Sequence, residues 1–364
     1  MLRSHRASIL WWFAFLIYGA QVFAATDAPL PPPNPAAEQP RAAHVALLLP
    51  TGSDAFGKAA EAVREGFAEA AKKRVGAPLT IRLYPVTEDP TQLAAAYAQA
   101  VAAGARIVVG PLTRNGVTAV ATTINPIPVP TLALNVAEGV ATNPPNLYTL
   151  SLQVEAEARQ IAQVALKDGR RKALTITDPS PLGRRMRDAF LDEFERGGGF
   201  RIADYPFATD AGTLDRLHQA ASTGAVDMVF LALDASRARA VRAQVSALPA
   251  YGTSQVNPGI SAASFIDLDD VRFVDMPWLL QPDHPAVMVY PRLGPRGPDE
   301  IERLRALGID AFRIAEALYE GKPIAELDGV TGRLSLGPDG QIRRTLPVAV
   351  VGGGQIAVLP EPPK

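Results

Sequence analysis

From His44 onward, the chain alternates short runs of apolar residues with longer segments in which apolar residues recur at helical spacing. The first run covers 45–49, and the segment after it places Val63, Phe67 and Ala70 on one helical face. A strand that is apolar at every position is buried on both faces, and the helices between such strands cover a parallel sheet from both sides. The alternation therefore predicts an α/β protein with doubly wound sheets.

The alternation runs through two successive series of strands and helices that meet near Leu150. Two such series predict two lobes with a central cleft, where ligands bind at the carboxyl ends of parallel strands. Later segments are expected to return to each lobe. The first lobe is thus predicted to comprise 44–150 with about 292–325, and the second 151–291 with about 326–360.

The last third of the sequence is less regular. Prolines and loosened periodicity break up the region after residue 249, but one strong amphipathic helix follows over 301–318. Gly321 and Pro323 mark its end, as is usual for helix C-termini. The segment 332–351 predicts a β-hairpin about a Pro-Asp-Gly turn at Asp339.

The N-terminus has the pattern of an export signal. Arg3 and Arg6 precede an apolar run over 9–20. The segment closes on 22–24, where the residues at the positions that determine cleavage are small or neutral, so we expect cleavage after Ala24. The run is shorter than the ~20 residues of a membrane-spanning helix, although an uncleaved anchor is the alternative. The proline-rich segment 25–43 is interpreted as a linker.

The chain contains no cysteine. Disulfides, thiolate metal sites and the acylated cysteine of a lipoprotein are therefore not expected, and a periplasmic location without a lipid anchor is predicted. Lysine and arginine number 36 against 37 aspartates and glutamates, so no overall charge favours nucleic acid.

The sequence offers little for catalysis. Its four histidines form no pair spaced four apart, as a helical metal site would need. The segment Gly252-Thr253-Ser254 lacks the second glycine of a serine nucleophile elbow, and the glycine runs at Gly197 and Gly352 lack a phosphate-loop lysine. We therefore expect a binding protein without enzymatic activity, metal or cofactor.

Five segments carry a resemblance to a known family. In chain order they are VALLLPTGSDAFGKAAEAVREGF, IVVGPLTRNGV, PTLALN, DPSPLGRRMRDAFLDEF and GVTGRLSLGPDGQIRRTLPVAVV, and the resemblance spans 44–359. Together they resemble the C-terminal domain of penicillin-binding protein activators, which has the type I periplasmic-binding-protein fold. The best-known members are outer-membrane lipoproteins with an additional N-terminal domain of helical repeats. This sequence has no cysteine to acylate, and we expect no such repeats in it.

The resemblance implies regulation of peptidoglycan synthesis through contact with a class A penicillin-binding protein. The alternative is a solute-binding protein that closes on an amino acid or short peptide in its cleft. Two basic clusters, one at Arg184, Arg185 and Arg187 and one at Arg343 and Arg344, are interpreted as solvated faces or as contacts for an acidic partner.

In this fold the loops after the first, third and fourth strands meet the ligand through helix N-termini. The candidate ligand-binding residues of the first lobe are Thr51, Ser53, Leu112, Thr113 and Asn135; those of the second are Asp178, Ser180 and Asp234. An aspartate of the second lobe would receive an amino group. The competing interpretation is local, since Thr113 and Asp234 also suit helix capping.

Overall fold

The computed structural model describes residues 42–257, 259, 266–290, 299–324 and 326–360. The predicted signal peptide and most of the predicted linker lie outside these residues, so both remain predictions. No helix in the described part of the chain has the length and apolar character needed to cross a bilayer.

The described residues form two sheets, one of eight and one of seven strands. In chain order the strands are β1 (His44–Leu49), β2 (Ile81–Pro85), β3 (Ala105–Val109), β4 (Thr131–Ala133), β5 (Leu147–Leu150), β6 (Lys172–Thr177), β7 (Phe200–Pro206), β8 (Met228–Ala232), β9 (Ala250–Gly252), β10 (Val271–Val274), β11 (Leu327–Gly329), β12 (Gly332–Leu336), β13 (Gln341–Thr345), β14 (Val348–Gly352) and β15 (Gln355–Val358).

The helices in these same ranges follow the strands in alternation. They are α1 (Gly57–Ala71), α2 (Pro90–Ala102), α3 (Arg114–Thr123), α4 (Val154–Lys167), α5 (Pro181–Arg196), α6 (Ala211–Ser222), α7 (Ala235–Arg242), α8 (Pro277–Leu280), α9 (Pro285–Met288) and α10 (Asp299–Tyr319). Side chains accept hydrogen bonds from the first turns of α2, α3, α5, α6 and α7, which satisfies backbone N–H groups that have no partner within the helix.

The first sheet has the order β11-β12-β13-β5-β4-β3-β1-β2 and its first five strands in the chain pair in parallel. Every residue of β1 is buried, because alternate side chains point to opposite faces of the sheet and both faces are covered. Leu47 packs in one core with Phe67 of α1 and Phe312 of α10. Leu48 packs in the other with Leu93 of α2.

Helices α1 and α10 pack closely because two glycines lie at their contact. A Cβ atom at Gly66 would lie 1.9 Å from the carbonyl oxygen of Arg305, and one at Gly308 would lie 2.1 Å from that of Val63. Nearby, the rings of Phe67 and Phe312 meet edge to face at 5.2 Å. The predicted helix over 301–318 is confirmed and lies against the first lobe.

The second sheet has the order β15-β14-β10-β9-β8-β6-β7. On one face, Phe190 of α5 stacks on Phe230 of β8, with ring centroids 4.0 Å apart. On the other face, Leu217 of α6 and Val241 of α7 pack in a second core. The predicted α/β class with two doubly wound lobes is confirmed.

Three features differ from the sequence prediction. The segment 326–360 was assigned as a whole to the second lobe, but β11, β12 and β13 join the first sheet, where β13 pairs in parallel with β5. This assignment was wrong because the open edge of β5 accepts β13. The predicted hairpin turn at Asp339 is confirmed between β12 and β13, whereas β14 belongs to the other sheet.

The other two differences lie in the second lobe. The helical spacing before Pro249 predicts one helix over 236–248, but α7 ends at Arg242 and a 3-10 turn follows. The loosened region after residue 249 contains β9 and β10, which sequence periodicity did not identify because they are only three and four residues long.

The chain passes between the lobes three times, at 151–153 before α4, at Asp275–Met276 after β10, and at Leu346–Pro347 between β13 and β14. The main core is continuous across these crossings, since one buried cluster contains both Phe67 of the first lobe and Phe190 of the second. The two lobes therefore share a common hydrophobic base.

Candidate interlobe site

A cavity of about 520 Å³ lies between the lobes beside the crossing at 151–153. Its walls come from both lobes and from α10. The lining residues are Phe56, Ala59, Glu88, Leu112, Thr113, Arg114, Asn115, Leu134, Asn135, Leu152, Gln153, Val154, Glu155, Leu182, Arg185, Gln255, Leu304 and Leu307. The cavity thus lies where the two-lobed architecture predicts a ligand cleft.

Three of the eight predicted ligand-binding residues line this cavity: Leu112, Thr113 and Asn135. Their polar groups serve the protein itself. The Thr113 hydroxyl accepts the Gly116 N–H at 3.2 Å and so caps α3. The Asn135 side chain donates to the Leu112 carbonyl at 3.0 Å and accepts the Val136 N–H at 3.0 Å. Capping by Thr113 is confirmed, and its role toward a ligand remains a prediction.

The other two candidates of the first lobe lie outside the cavity lining. The Ser53 hydroxyl accepts the Phe56 N–H at 3.2 Å, and the Thr51 N–H donates to the Leu49 carbonyl at 2.9 Å. Both residues shape the loop into α1. It is Phe56, at the end of this loop, that reaches the cavity.

The three candidates of the second lobe also lie outside the lining residues. Asp178 accepts the Ser180 N–H at 2.8 Å, and the Ser180 hydroxyl accepts the Gly183 N–H at 3.1 Å at the start of α5. Asp234 caps α7 through the Arg237 N–H at 2.8 Å. The Arg237 guanidinium pairs with both aspartates, lying 3.3 Å from Asp178. The structure therefore places these groups in a local network on the second lobe.

An ion-pair cluster that sequence reasoning did not identify lies in the cavity wall. Glu155, at the start of α4, has one carboxylate oxygen 2.9 Å from Arg114 of the first lobe and 3.0 Å from Arg185 of the second. Burial acts to raise the pKa of Glu155. Its backbone hydrogen bond and the two arginines outweigh that effect, so the pKa lies below its ordinary value. No local pattern predicts this cluster, because Arg114 and Arg185 lie 41 and 30 positions from Glu155 along the chain.

A second charged network crosses between the lobes beneath the cavity. Glu157 of α4 lies 3.4 Å from Arg344 of β13 and accepts the Ser254 N–H at 3.0 Å. Burial raises the pKa of Glu157, although the charge of Arg344 acts to lower it. Burial lowers the pKa of Arg344, although the charge of Glu157 acts to raise it. Asp275 at the second crossing pairs with Arg303 of α10 at 2.6 Å.

Arg344 also donates to the carbonyls of Ser151 and Thr331, at 2.8 and 3.1 Å. It therefore lies in the interior as a structural group, contrary to the expectation of a solvated basic face. Arg185 of the other predicted cluster contacts Glu155 in the cleft, whereas Arg187 pairs with Asp188 and Asp204 on the surface.

The described residues contain no cluster of three or more histidine, cysteine, aspartate or glutamate side chains that would hold a metal ion. Two of the described histidines form side-chain hydrogen bonds within the fold. His44 lies 2.9 Å from the Tyr84 hydroxyl, and His284 accepts the Ala286 N–H at the start of α9.

Similar proteins include several that are named as penicillin-binding protein activators. One is the "Penicillin-binding protein activator LpoA" of Edwardsiella piscicida, which is 28% identical in an alignment 312 residues long that covers 73% of this chain and 44% of the relative. The protein of the same name from Aliivibrio fischeri is 25% identical in an alignment 347 residues long that covers 86% of this chain and 57% of the relative. The chain thus spans about half the length of these curated relatives.

Solved structures support the fold assignment. The C-domain of LpoA from Haemophilus influenzae, described as a regulator of PBP1A, superposes with a TM-score of 0.72 at 20% identity and covers 87% of this chain and 99% of that domain. A structure from Chromobacterium violaceum described as a "putative branched-chain amino acid ABC transporter" has a TM-score of 0.73 at 39% identity, covering 85% of this chain and all of that one. The architecture is that of a type I periplasmic-binding protein.

A model of the family described as "LppC putative lipoprotein" matches residues 35–350. The word lipoprotein is at odds with the prediction that no lipid anchor is present, a prediction that rests on the absence of cysteine from the 364 residues. The match covers most of the chain and includes both lobes. The chain therefore belongs to the LppC family, which confirms the resemblance to penicillin-binding protein activators.

Proposed function

We propose that this chain is a non-catalytic periplasmic binding protein that regulates a peptidoglycan synthase, a class A penicillin-binding protein, through protein contacts. The observation that carries the proposal is family membership over 35–350, together with relatives named as penicillin-binding protein activators. The match to an isolated LpoA C-domain over 99% of its length supports assigning the contact to the two-lobed unit described here.

The chemistry of the cleft supports a protein partner over a small solute. The polar atoms of Thr113 and Asn135, which would receive an amino-acid ligand, already bond to the protein backbone. Arg114 and Arg185 are likewise paired with Glu155. A polar solute would have to replace these bonds before it gained any of its own.

The edge of the second sheet offers a surface suited to a protein partner. Strand β7 is the outermost strand, and its Phe200 and Ile202 side chains are 63% and 45% exposed. Lys172 pairs with Phe200, and the Arg171 carbonyl accepts the Phe200 N–H at 2.7 Å, so both cations lie beside this residue. The nearby Asp227 carboxylate accepts the backbone N–H groups of Arg171 and Lys172, at 2.9 and 3.0 Å. An unpaired edge with apolar and basic side chains suits an acidic surface or strand of a partner.

The test is a glycan-polymerisation assay with a purified class A penicillin-binding protein, combined with co-purification of the two proteins. We expect the wild-type chain to bind the synthase and change its rate, and Phe200→Ser with Ile202→Ser to weaken both effects. Leu83→Ser is the matched control, because Leu83 is 40% exposed on β2, the edge strand of the other sheet. A wild-type chain that neither binds the synthase nor alters its rate contradicts the proposal.

A solute receptor is the second candidate, favoured by the 520 Å³ cavity and by the 39% identical structure whose name refers to branched-chain amino acids. A ligand at 100 times its dissociation constant would stabilise the folded state by about 2.7 kcal/mol. Thermal unfolding with leucine, isoleucine, valine, muropeptides and small peptides tests this function. A shift that Thr113→Ala and Asn135→Ala abolish would favour the receptor, and no shift would argue against it.

The location of the chain is part of the same proposal. We infer export by the segment 1–24, with a linker over 25–43 and no lipid anchor, because the sequence provides no cysteine for acylation. Metabolic labelling with an alkyne analogue of palmitate tests this inference against the lipoprotein name of the family. A labelled chain would show that an anchor is present.

A further inference from the structure

Two arginines from opposite lobes converge on a single carboxylate in the cleft. Arg114 begins α3 of the first lobe, and Arg185 lies on α5 of the second. Both contact the same oxygen of Glu155, at 2.9 and 3.0 Å. Glu155 itself lies two residues after the crossing at 151–153, so its carboxylate connects the two lobes at their junction.

The carboxylate is largely enclosed. The Glu155 side chain is 14% exposed, against 30% for Arg114 and 45% for Arg185. Its second oxygen is buried and has no hydrogen-bond partner. A guanidinium group prefers carboxylates, and pairs of this kind are stronger where water is excluded. Arginines of both lobes therefore bind one oxygen of a carboxylate, and its second oxygen could accept one more hydrogen bond.

We propose that Arg114 and Arg185 form a carboxylate-binding site shared by the lobes, and that Glu155 occupies it as the chain's own ligand. In a two-lobed binding protein, a ligand favours the closed form when it contacts both lobes at once, because it binds that form more tightly. Here Glu155 makes that bridging contact permanently. The lobes are held together without a solute, whether or not the chain regulates a synthase.

The rest of the lining defines the class of external ligand that would replace Glu155. Apart from Arg114, Glu155 and Arg185, nine of the fifteen lining residues are apolar, among them Phe56, Leu112, Leu152, Leu182 and Leu304. Glu88 is the other carboxylate in the lining, and its negative charge would repel a second negative charge on the ligand. The site therefore suits a monocarboxylate with a short aliphatic chain, and butyrate is an appropriate probe.

The first test is thermal unfolding of wild type and of Glu155→Ala in sodium butyrate, butylammonium chloride and sodium chloride at equal ionic strength. We expect butyrate at about ten times its dissociation constant to raise the unfolding midpoint of Glu155→Ala by about 2 °C, with no rise for wild type. Butylammonium should have no effect. An equal response of both proteins to butyrate, or no response of the folded variant, overturns the proposal.

Adding Arg185→Ala to Glu155→Ala identifies the site. This double variant should lose the butyrate response, and a response that persists would place the butyrate elsewhere and overturn the assignment. Glu195→Ala is the matched control, since Glu195 is an exposed carboxylate on α5 that forms no ion pair with another described residue. It should behave as wild type.

The second test measures the separation of the lobes. Because the chain has no cysteine, spin labels can be attached at Ala98→Cys on α2 and Gln219→Cys on α6, both exposed positions. We expect a narrow distribution of distances between the two labels when Glu155 is present, and a broader one in Glu155→Ala. Butyrate should narrow the distribution of Glu155→Ala again. Glu155→Gln, which keeps the shape without the charge, should also broaden it. Unchanged distributions in both variants contradict a clamping role.

Discussion

Glu157 and Arg344 form a buried ion pair, with a carboxylate oxygen 3.4 Å from a guanidinium nitrogen, between α4 of the second lobe and β13 of the first sheet. The two residues are 187 positions apart, and their side chains are 6% and 4% exposed. The pair therefore connects the first crossing between the lobes with the strand that leads into the third.

Replacing one partner of this pair should be more damaging than replacing both. Arg344→Met leaves the Glu157 carboxyl buried without its cation, and breaking a buried pair in this way costs about 3–5 kcal/mol. Glu157→Gln with Arg344→Met removes both charges and should recover much of that loss. Urea unfolding of the two single variants and the double variant measures the difference. Additive losses in the double variant would show that the two charges are not coupled.

Asp310 holds the turn between β11 and β12. Its side chain is fully buried and accepts the N–H groups of Val330 and Thr331, at 3.1 and 2.8 Å, and the Thr331 hydroxyl at 2.6 Å. Asp310→Ala leaves those donors without their acceptor, so we expect a loss of about 2–3 kcal/mol in urea unfolding. Asp215→Ala, at an exposed position on α6, should stay within about 0.5 kcal/mol of wild type. Equal effects of the two changes would contradict this role.

The contact between α1 and α10 depends on glycine at position 308. An added Cβ atom would lie 2.1 Å from the Val63 carbonyl oxygen, and that atom belongs to the backbone of a helix and cannot move aside alone. Gly308→Ala should therefore cost about 3 kcal/mol or more, measured by thermal unfolding. Gly212→Ala on α6 is the control, because its Cβ would meet only the Asp210 side chain at 3.5 Å. A Gly308→Ala protein as stable as wild type would exclude tight helix contact here.

Most of the fold follows from local patterns. Every residue of β1 is buried, as its unbroken apolar run predicts. The helical spacing of apolar residues over 301–318, which includes Gly308 and Phe312, predicts α10. Asp339 and its neighbours predict the turn between β12 and β13. The sheet to which that hairpin belongs was not predictable, because pairing of β13 with β5 depends on contacts nearly 200 positions apart.

The sequence predicted where the candidate site lies but not which side chains give it its charge. The loops after β3 and β4 do reach the cleft, but local hydrogen bonds occupy the side chains of Thr113 and Asn135, since such residues readily bond to nearby backbone groups. The charges that distinguish this cleft, Glu155 with Arg114 and Arg185, come together only through the tertiary structure. Each resembles an ordinary surface residue of a helix in the sequence.

The ion pairs of Glu155 should make stability depend on pH. Because the pKa of Glu155 in the folded protein lies below 4.5, the ordinary value of a glutamate, the folded state binds this proton less tightly than the unfolded state. The stability it contributes is complete above pH 4.5 and is lost as the pH falls through the folded pKa. Wild type should therefore exceed Glu155→Gln in free energy of unfolding near pH 7, and the difference should shrink below pH 4.5.

Urea unfolding at intervals from about pH 3 to pH 7 measures this difference, with the slope of the free energy against pH reporting the protons taken up on unfolding. Glu195→Gln is the control, and we expect it to stay within about 0.5 kcal/mol of wild type at neutral pH. A difference between wild type and Glu155→Gln that stays constant over the acidic range would mean that Glu155 stabilises the fold through its shape alone. In that case the arginines of the two lobes would not be held by its charge.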